Sequence, residues 1–141
     1  LVSEALKSGA KCEIGGKRNK KLGGQFFDPT VLTNVSHKMA IAVEEIFGAV
    51  AAIQKFKSEE EVIKLSNDTD YGLGSYLYTA DNARIWRISD ALEFGMVAIN
   101  DCTFATEVAP FGGIKHSGFG REGSHLGIAE FCQVKTLHIS F

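Results

Sequence analysis

An α/β fold built on a largely parallel sheet is what this sequence predicts, and three observations predict it. Between residues 50 and 99, strand-like runs alternate with charged helix-like segments. Those runs are apolar almost throughout, as in sheets covered on both faces, rather than alternating apolar and polar. The composition, 45% hydrophobic and 23% charged over 141 residues, is that of a globular chain long enough to bury a core.

The elements follow in order. Residues 1–8 read as a helix closed by Gly9. Cys12-Glu13-Ile14 is a short strand before Gly15-Gly16, and residues 17–25 form a polar loop. Phe26 to Leu32 is strand-like, but Pro29 makes it an edge or an irregular strand, because proline cannot donate to a ladder. Val50 to Phe56 is an apolar strand. Ser58 is a natural N-cap, with Glu61 at the capping-box position and an acidic first turn. Val62, Ile63 and Leu65 form the buried side of that helix. After Gly72-Leu73-Gly74 comes a strand over Ser75–Thr79. Asp81 caps a helix whose Ile85, Trp86, Ile88, Ala91 and Leu92 repeat at helical spacing, and Gly95 stops it. Met96–Ile99 is a short apolar strand ending at Asn100. In open α/β sheets the ligand crevice lies beyond the carboxyl ends of the strands. The loop after Asn100 and the glycine-rich run behind it fall there.

Several function classes drop out. Formal net charge is −2, and the one basic cluster, Lys17-Arg18-Asn19-Lys20-Lys21, reads as a solvated loop rather than a nucleic-acid patch. No run reaches membrane-spanning length. The opening residues form an amphipathic helix pattern, not a signal peptide. Cys12, Cys102 and Cys132 show no CxxC or metal spacing, and His37, His116, His125 and His138 do not pair with other ligand types, so no metal site is expected. Three unpaired thiols suit a reducing compartment, the cytoplasm or the mitochondrial matrix. A first residue of Leu inside a helix pattern reads as part of a longer protein.

The densest signal is Pro110 to Glu122, with five glycines in thirteen residues. So many glycines require close backbone approach, positive φ, or both. The run lacks the Lys-Ser/Thr ending of a phosphate-binding P-loop. It is better read as a tight turn behind Phe111. The tail from Gln133 to Phe141 alternates with a period of two, and such an edge calls for a pairing partner.

These segments resemble the aldehyde dehydrogenases that use NAD or NADP. Glu44-Glu45-Ile46-Phe47-Gly48-Ala49-Val50 is similar to the family's E-x-F-G-P-V element, with Ala49 in place of the proline. Asn67 to Gly74 resembles N-x-x-x-Y-G-L-x, and Gly95 to Asn100 resembles G-x-V-x-I-N. Pro110 to Glu122 matches P-F-G-G-x-K-x-S-G-x-G-R-E at every specified position. Order and spacing agree over essentially the whole chain. Glu107–Lys115 and Arg121–Ser124 look most like succinate-semialdehyde dehydrogenases.

The resemblance is to the C-terminal portion of that family. It implies a partial catalytic domain over residues 1–131 and an oligomerisation strand over 132–141, through which the enzyme forms homo-oligomers. The segments holding the nucleophilic cysteine, the general-base glutamate and the dinucleotide domain are not among these residues, so no catalytic residue is expected here and the chain alone is expected to be inactive. The family's Glu that bonds the nicotinamide ribose and its Phe beside the nicotinamide correspond to Glu45 and Phe47. Spacing alone reads them as a surface acid and a core aromatic. Ala105 and Phe111 correspond to positions facing the aldehyde tunnel. Succinate-semialdehyde dehydrogenases usually carry a serine where this chain has Ala105, and alanine cannot make that hydrogen bond. Glu122 corresponds to an acid proposed as an accessory proton relay, and reads equally as a helix-start acid. Cys102 is rejected as the nucleophile: no His or Lys adjoins it to lower its pKa, and the family's nucleophile belongs to another motif. Lys115 and Arg121 read as ion-pair partners with no chemistry of their own. A rival reading is a non-catalytic assembly module that self-associates through its tail.

Overall fold

The computed structural model describes residues 1–103 and 105–141. The chain folds as two compact units, Leu1–Leu65 and Ser66–Phe141.

The first unit is a three-stranded sheet with helices. α1 (Val2–Lys7) leads to β1 (Lys11–Ile14), β2 (Thr30–Thr33), α2 (Ala40–Val43), β3 (Val50–Ala52) and α3 (Glu59–Asn67). Gly9 turns the chain out of α1 with φ of 102°, a conformation that favours glycine. The sheet order is β1-β2-β3. β1 runs antiparallel to β2 with a bulge between Cys12 and Ile14, and β3 runs parallel to β2 with Thr30 opposite Val50. β2 is therefore the central strand, not an edge. Pro29 does not contradict this, because the ladder starts one residue later, at Thr30. β3 is also shorter than its apolar run, ending at Ala52.

The core gathers around β2. Leu32 is 0% exposed and packs with Ala5, Ala10, Val35, Met39 and Ile41. Thr30 is buried and fully used: its hydroxyl donates to the Asp28 carbonyl at 2.7 Å and accepts from the Gly16 amide at 2.8 Å. The Gly15-Gly16 pair is needed there, since a Cβ on Gly15 would strike the Pro29 carbonyl. At the start of α3, Ser58 Oγ accepts from the Glu61 amide at 3.2 Å. The Glu61 carboxylate accepts from the Lys57 amide at 2.7 Å, one residue earlier than a capping box requires. Val62, Ile63 and Leu65 are only half-buried, so the expected apolar side of this helix is partly uncovered.

The second unit holds two small sheets. β4 (Tyr71–Gly72) and β5 (Gly74–Leu77) precede α4 (Asn82–Ala91) and β6 (Met96–Ile99); β7 (Ile114–Lys115) and a 3₁₀ turn (Gly127–Phe131) follow. β5 and β6 pair in parallel across α4, and β4 pairs antiparallel with β7. Asp81 caps α4 as expected, its carboxylate accepting from the Arg84 amide at 3.1 Å. Ile88 is buried and packs α4 inward, whereas Trp86 is 77% exposed. Trp86 follows Ile85 by one position, which rotates it away from the buried stripe.

α4 ends before Gly95, with Leu92 as its C-cap. Gly95 serves close approach rather than termination: a Cβ there would meet the Gly112 carbonyl and lie 2.8 Å from Gly113 Cα. The expectation of one continuous βαβ sheet is thus met by parallel pairs within separate sheets; β3 pairs with β2, not with β5. No strand is assigned among residues 132–141, all of them exposed.

Candidate functional site

In the first unit the site is a six-residue stretch between α2 and β3. It enters from α2 through a Glu44 amide bond to the Ala40 carbonyl at 2.8 Å. It leaves through a Val50 amide bond to Gly48 and a Thr30 amide bond to Ala49, at 2.8 and 2.9 Å. Ile46 packs against the core cluster. Its neighbours Glu45 and Phe47 point outward, and Phe47 is 93% exposed. Ile46 is the one residue of the stretch that turns inward; Glu44, Gly48 and Ala49 are exposed as well. The expectation of a core Phe from spacing alone is therefore wrong at Phe47.

Phe47 also has φ of 43°, a left-handed conformation uncommon for an aromatic residue and typical of ligand sites. Among the described residues nothing hydrogen-bonds the Glu45 carboxylate. An ionised carboxylate with both oxygens open can accept from two hydroxyls at once, and a bare aromatic face can stack on a flat ring. An open acceptor pair and an exposed aromatic ring thus lie two residues apart. The Ala49 carbonyl accepts from the Thr30 amide at 2.9 Å, which ties the end of the stretch to β2.

In the second unit the glycine-rich run folds back on itself. Phe111 and Glu122 form an antiparallel bridge. Arg121 Nη1 donates to the Gly113 and Gly120 carbonyls at 2.9 and 2.6 Å, which ties the two limbs. The run is also anchored outside itself: the Ser117 hydroxyl accepts from the Gly72 amide at 3.0 Å, and the His116 amide donates to Asp70 at 2.9 Å. The amides of Phe111, His116, Ser117, Gly118 and Glu122 all donate within the fold, so they are unavailable to cradle a phosphate. Gly120, with φ of 74°, lets the chain turn where a Cβ would meet the Glu130 carboxylate at 2.8 Å.

Phe111 is half-buried; Ala105 and Glu122 are exposed. Glu122 borders a cleft of about 530 Å³ with Phe119, Arg121, Ile128, Glu130 and Phe131. Cys102 is exposed on the loop after β6, its sulfur 3.8 Å from the Thr103 hydroxyl. Lys115 is the ion-pair partner it was expected to be, 2.7 Å from Glu93. Its ammonium also donates to the Asn67 and Thr69 carbonyls at 2.9 and 3.2 Å. Arg121 instead bonds backbone carbonyls.

Sequence reasoning missed the struts that aim the loop after β6. Asn100, with φ of 54°, donates its Nδ2 to the Thr79 carbonyl at 2.8 Å and accepts from the Thr79 amide at 2.9 Å. The Tyr78 phenol donates to the Asp101 carbonyl at 2.9 Å. The available signal was an asparagine directly after an apolar strand, since asparagine tolerates left-handed φ and bonds backbone with its amide.

The chain belongs to the aldehyde dehydrogenase family, whose model matches residues 1–137. It is 50% identical over 134 residues to 3-sulfolactaldehyde dehydrogenase of Pseudomonas putida, covering 95% of this chain and 27% of that enzyme. It is 48% identical over 135 residues to the mitochondrial succinate-semialdehyde dehydrogenase of Oryza sativa, covering 96% of this chain and 25% of that one. Among solved structures, succinate-semialdehyde dehydrogenase from Burkholderia pseudomallei superposes with a TM-score of 0.89 at 53% identity, over 92% of this chain and 27% of that enzyme. The chain thus spans about a quarter of the length of these relatives.

Proposed function

We propose that these residues form part of an NAD(P)-dependent aldehyde dehydrogenase that oxidises an aldehyde to a carboxylic acid. The observation that carries this reading is the stretch around Ile46, which turns Glu45 and Phe47 outward together beside a packed core. In the working enzyme the Glu45 carboxylate accepts from the nicotinamide-ribose hydroxyls, and Phe47 packs beside the ring. The bound nicotinamide supplies a hydride acceptor. Phe111 and Ala105 line the aldehyde tunnel, and Glu122 serves as an accessory proton relay. Residues 1–131 act as part of the catalytic domain, and residues 132–141 as the strand that joins subunits into a homo-oligomer in the cytoplasm or mitochondrial matrix.

The names of the relatives support a substrate class. Enzymes named for 3-sulfolactaldehyde, succinate semialdehyde and glutarate semialdehyde all act on aldehydes bearing a distal acid. The reading is a succinate-semialdehyde-like substrate, either less acidic at its far end or held there by residues other than Ala105. Ala105 offers no hydroxyl to the distal acid, a hydrogen bond to a charged group worth about 1.5–3 kcal/mol. Both cofactors occur among similar proteins: a relative from Escherichia coli is named for NADP+, and a similar betaine aldehyde dehydrogenase from Staphylococcus aureus was solved with NAD+.

The test is an assay of the 141-residue chain with succinate semialdehyde and either cofactor, beside a cofactor titration and a size measurement. No turnover, with turnover once the remaining segments of the enzyme are supplied, is the expected result. Robust turnover by the chain alone sinks the reading. Oligomers that form without cofactor binding, and stay inactive when the remaining segments are added, favour a non-catalytic assembly module.

A further inference from the structure

The loop between β1 and β2 places Lys17, Arg18, Lys20 and Lys21 around one concavity of about 490 Å³, with Asn19 and Asp28 completing its wall. The loop is internally built. The Asn19 amide donates to the Phe26 carbonyl at 2.9 Å, and the Asn19 carbonyl accepts from the Leu22 and Gly23 amides at 3.2 Å each. Its side chain accepts from the Lys21 and Leu22 amides at 3.1 and 3.2 Å. Arg18 pairs with Phe27 across the loop, and its guanidinium is held by the Gly24 carbonyl at 2.6 Å.

Positive charge is in excess there. Four cations face one carboxylate, and that carboxylate is oriented by Asn19 Nδ2 at 2.8 Å. Among the described residues none of Lys17, Lys20 and Lys21 has an acidic partner. The chain as a whole carries −2, so the cations are segregated rather than part of a generally basic surface. A preformed hollow of like charges attracts an anion carrying several charges, because each lysine acts as a point charge and arginine adds a planar fork.

We infer that this hollow is a binding site for a small, multiply charged anion of the diphosphate class. Free diphosphate and the diphosphate of a nucleotide share that chemistry. The experiment titrates the full chain with inorganic diphosphate and separately with adenosine diphosphate, following the Lys17–Gly24 amides by NMR. Saturable shifts confined to that loop are expected, with affinity falling as salt rises, since the screening length shrinks to about 8 Å at physiological ionic strength. The double variant Lys20→Ala/Lys21→Ala is expected to lose about tenfold or more in affinity, the scale of one charge-assisted contact, and Lys20→Arg/Lys21→Arg to retain it. Both positions are exposed, and thermal melting checks that the fold is kept. Equal binding of both ligands assigns the diphosphate group as the ligand, and tighter binding of either names the source. Absence of saturable shifts, or unchanged affinity in the alanine pair, overturns the inference.

Discussion

Phe111 and Glu122 exchange both of their backbone hydrogen bonds, at 2.9 Å from the Phe111 amide and 2.7 Å from the Glu122 amide. Residues paired in this way across an antiparallel rung present their side chains on the same face. An aromatic assigned to the tunnel wall and an acid assigned to proton traffic are therefore set side by side by main chain alone. Either side chain can be altered without breaking the rung that positions the other.

Glu122→Gln separates the two readings of that acid. In the complete enzyme, relay function predicts a fall in kcat of about tenfold and a displaced pH profile, less than the roughly 100-fold that loss of a direct acid or base costs. Steady-state kinetics across pH measures it. An unchanged profile would leave Glu122 a structural residue.

For Glu45, the sensitive quantity is cofactor affinity. Glu45→Ala in the complete enzyme should raise the NAD(P)+ dissociation constant about tenfold, with Glu45→Gln in between, since an amide oxygen still accepts. Thermal stability should stay put, because the residue is exposed. Fluorescence titration beside a melting curve checks both halves.

Leu32 tests the core. Among the described residues it is the largest fully buried side chain, and it lies on the central strand of its sheet. Leu32→Ala should destabilise the first unit by about 2–5 kcal/mol, and Leu32→Met by less than about 1.5 kcal/mol. Urea unfolding of both variants reads the difference.

Acid should weaken the start of α3. The Glu60 carboxyl is held below its ordinary value of 4.5 by its own backbone amide and then by the Ser58 hydroxyl. Glu13 is lowered likewise by the Thr33 hydroxyl and then by Lys11. A carboxyl lowered in the folded state stabilises above its unfolded pKa, and that contribution is lost as pH falls through the folded value. Melting temperature should therefore drop below about pH 4.5. Ser58→Ala should cost about 0.5–2 kcal/mol at neutral pH by removing the cap, and should flatten the acid limb. Calorimetry at a series of pH values follows both.

Lys115→Met removes a tether together with its charge. The Asn67 and Thr69 carbonyls lose their ammonium donor and Glu93 loses its partner. A loss of about 1–3 kcal/mol is expected, read by urea unfolding of the variant.

The local elements were legible where one residue type has one strong reason to be present. Gly9 ends α1, Asp81 caps α4, and the run after Pro110 needs glycines for both positive φ and close packing. Pairing was less legible. Pro29 argued for an edge strand, because nothing in the residues says that the ladder begins one position later. Gly95 looked like a helix stop because its real neighbours, Gly112 and Gly113, are distant in sequence. At the site, the resemblance supplied residue identities, but not the φ of Phe47 or the doubly bonded amide of Asn100. Both are set by main-chain geometry that side-chain chemistry only permits.

The placement of Ile46 makes it an anchor. Glu45 and Phe47 lie outside on either side of the one residue of the stretch that packs against the core. Substitutions along this stretch alter the chemistry it displays. The stretch is thus pinned to the core at Ile46, and its exposed positions carry the chemistry proposed for it.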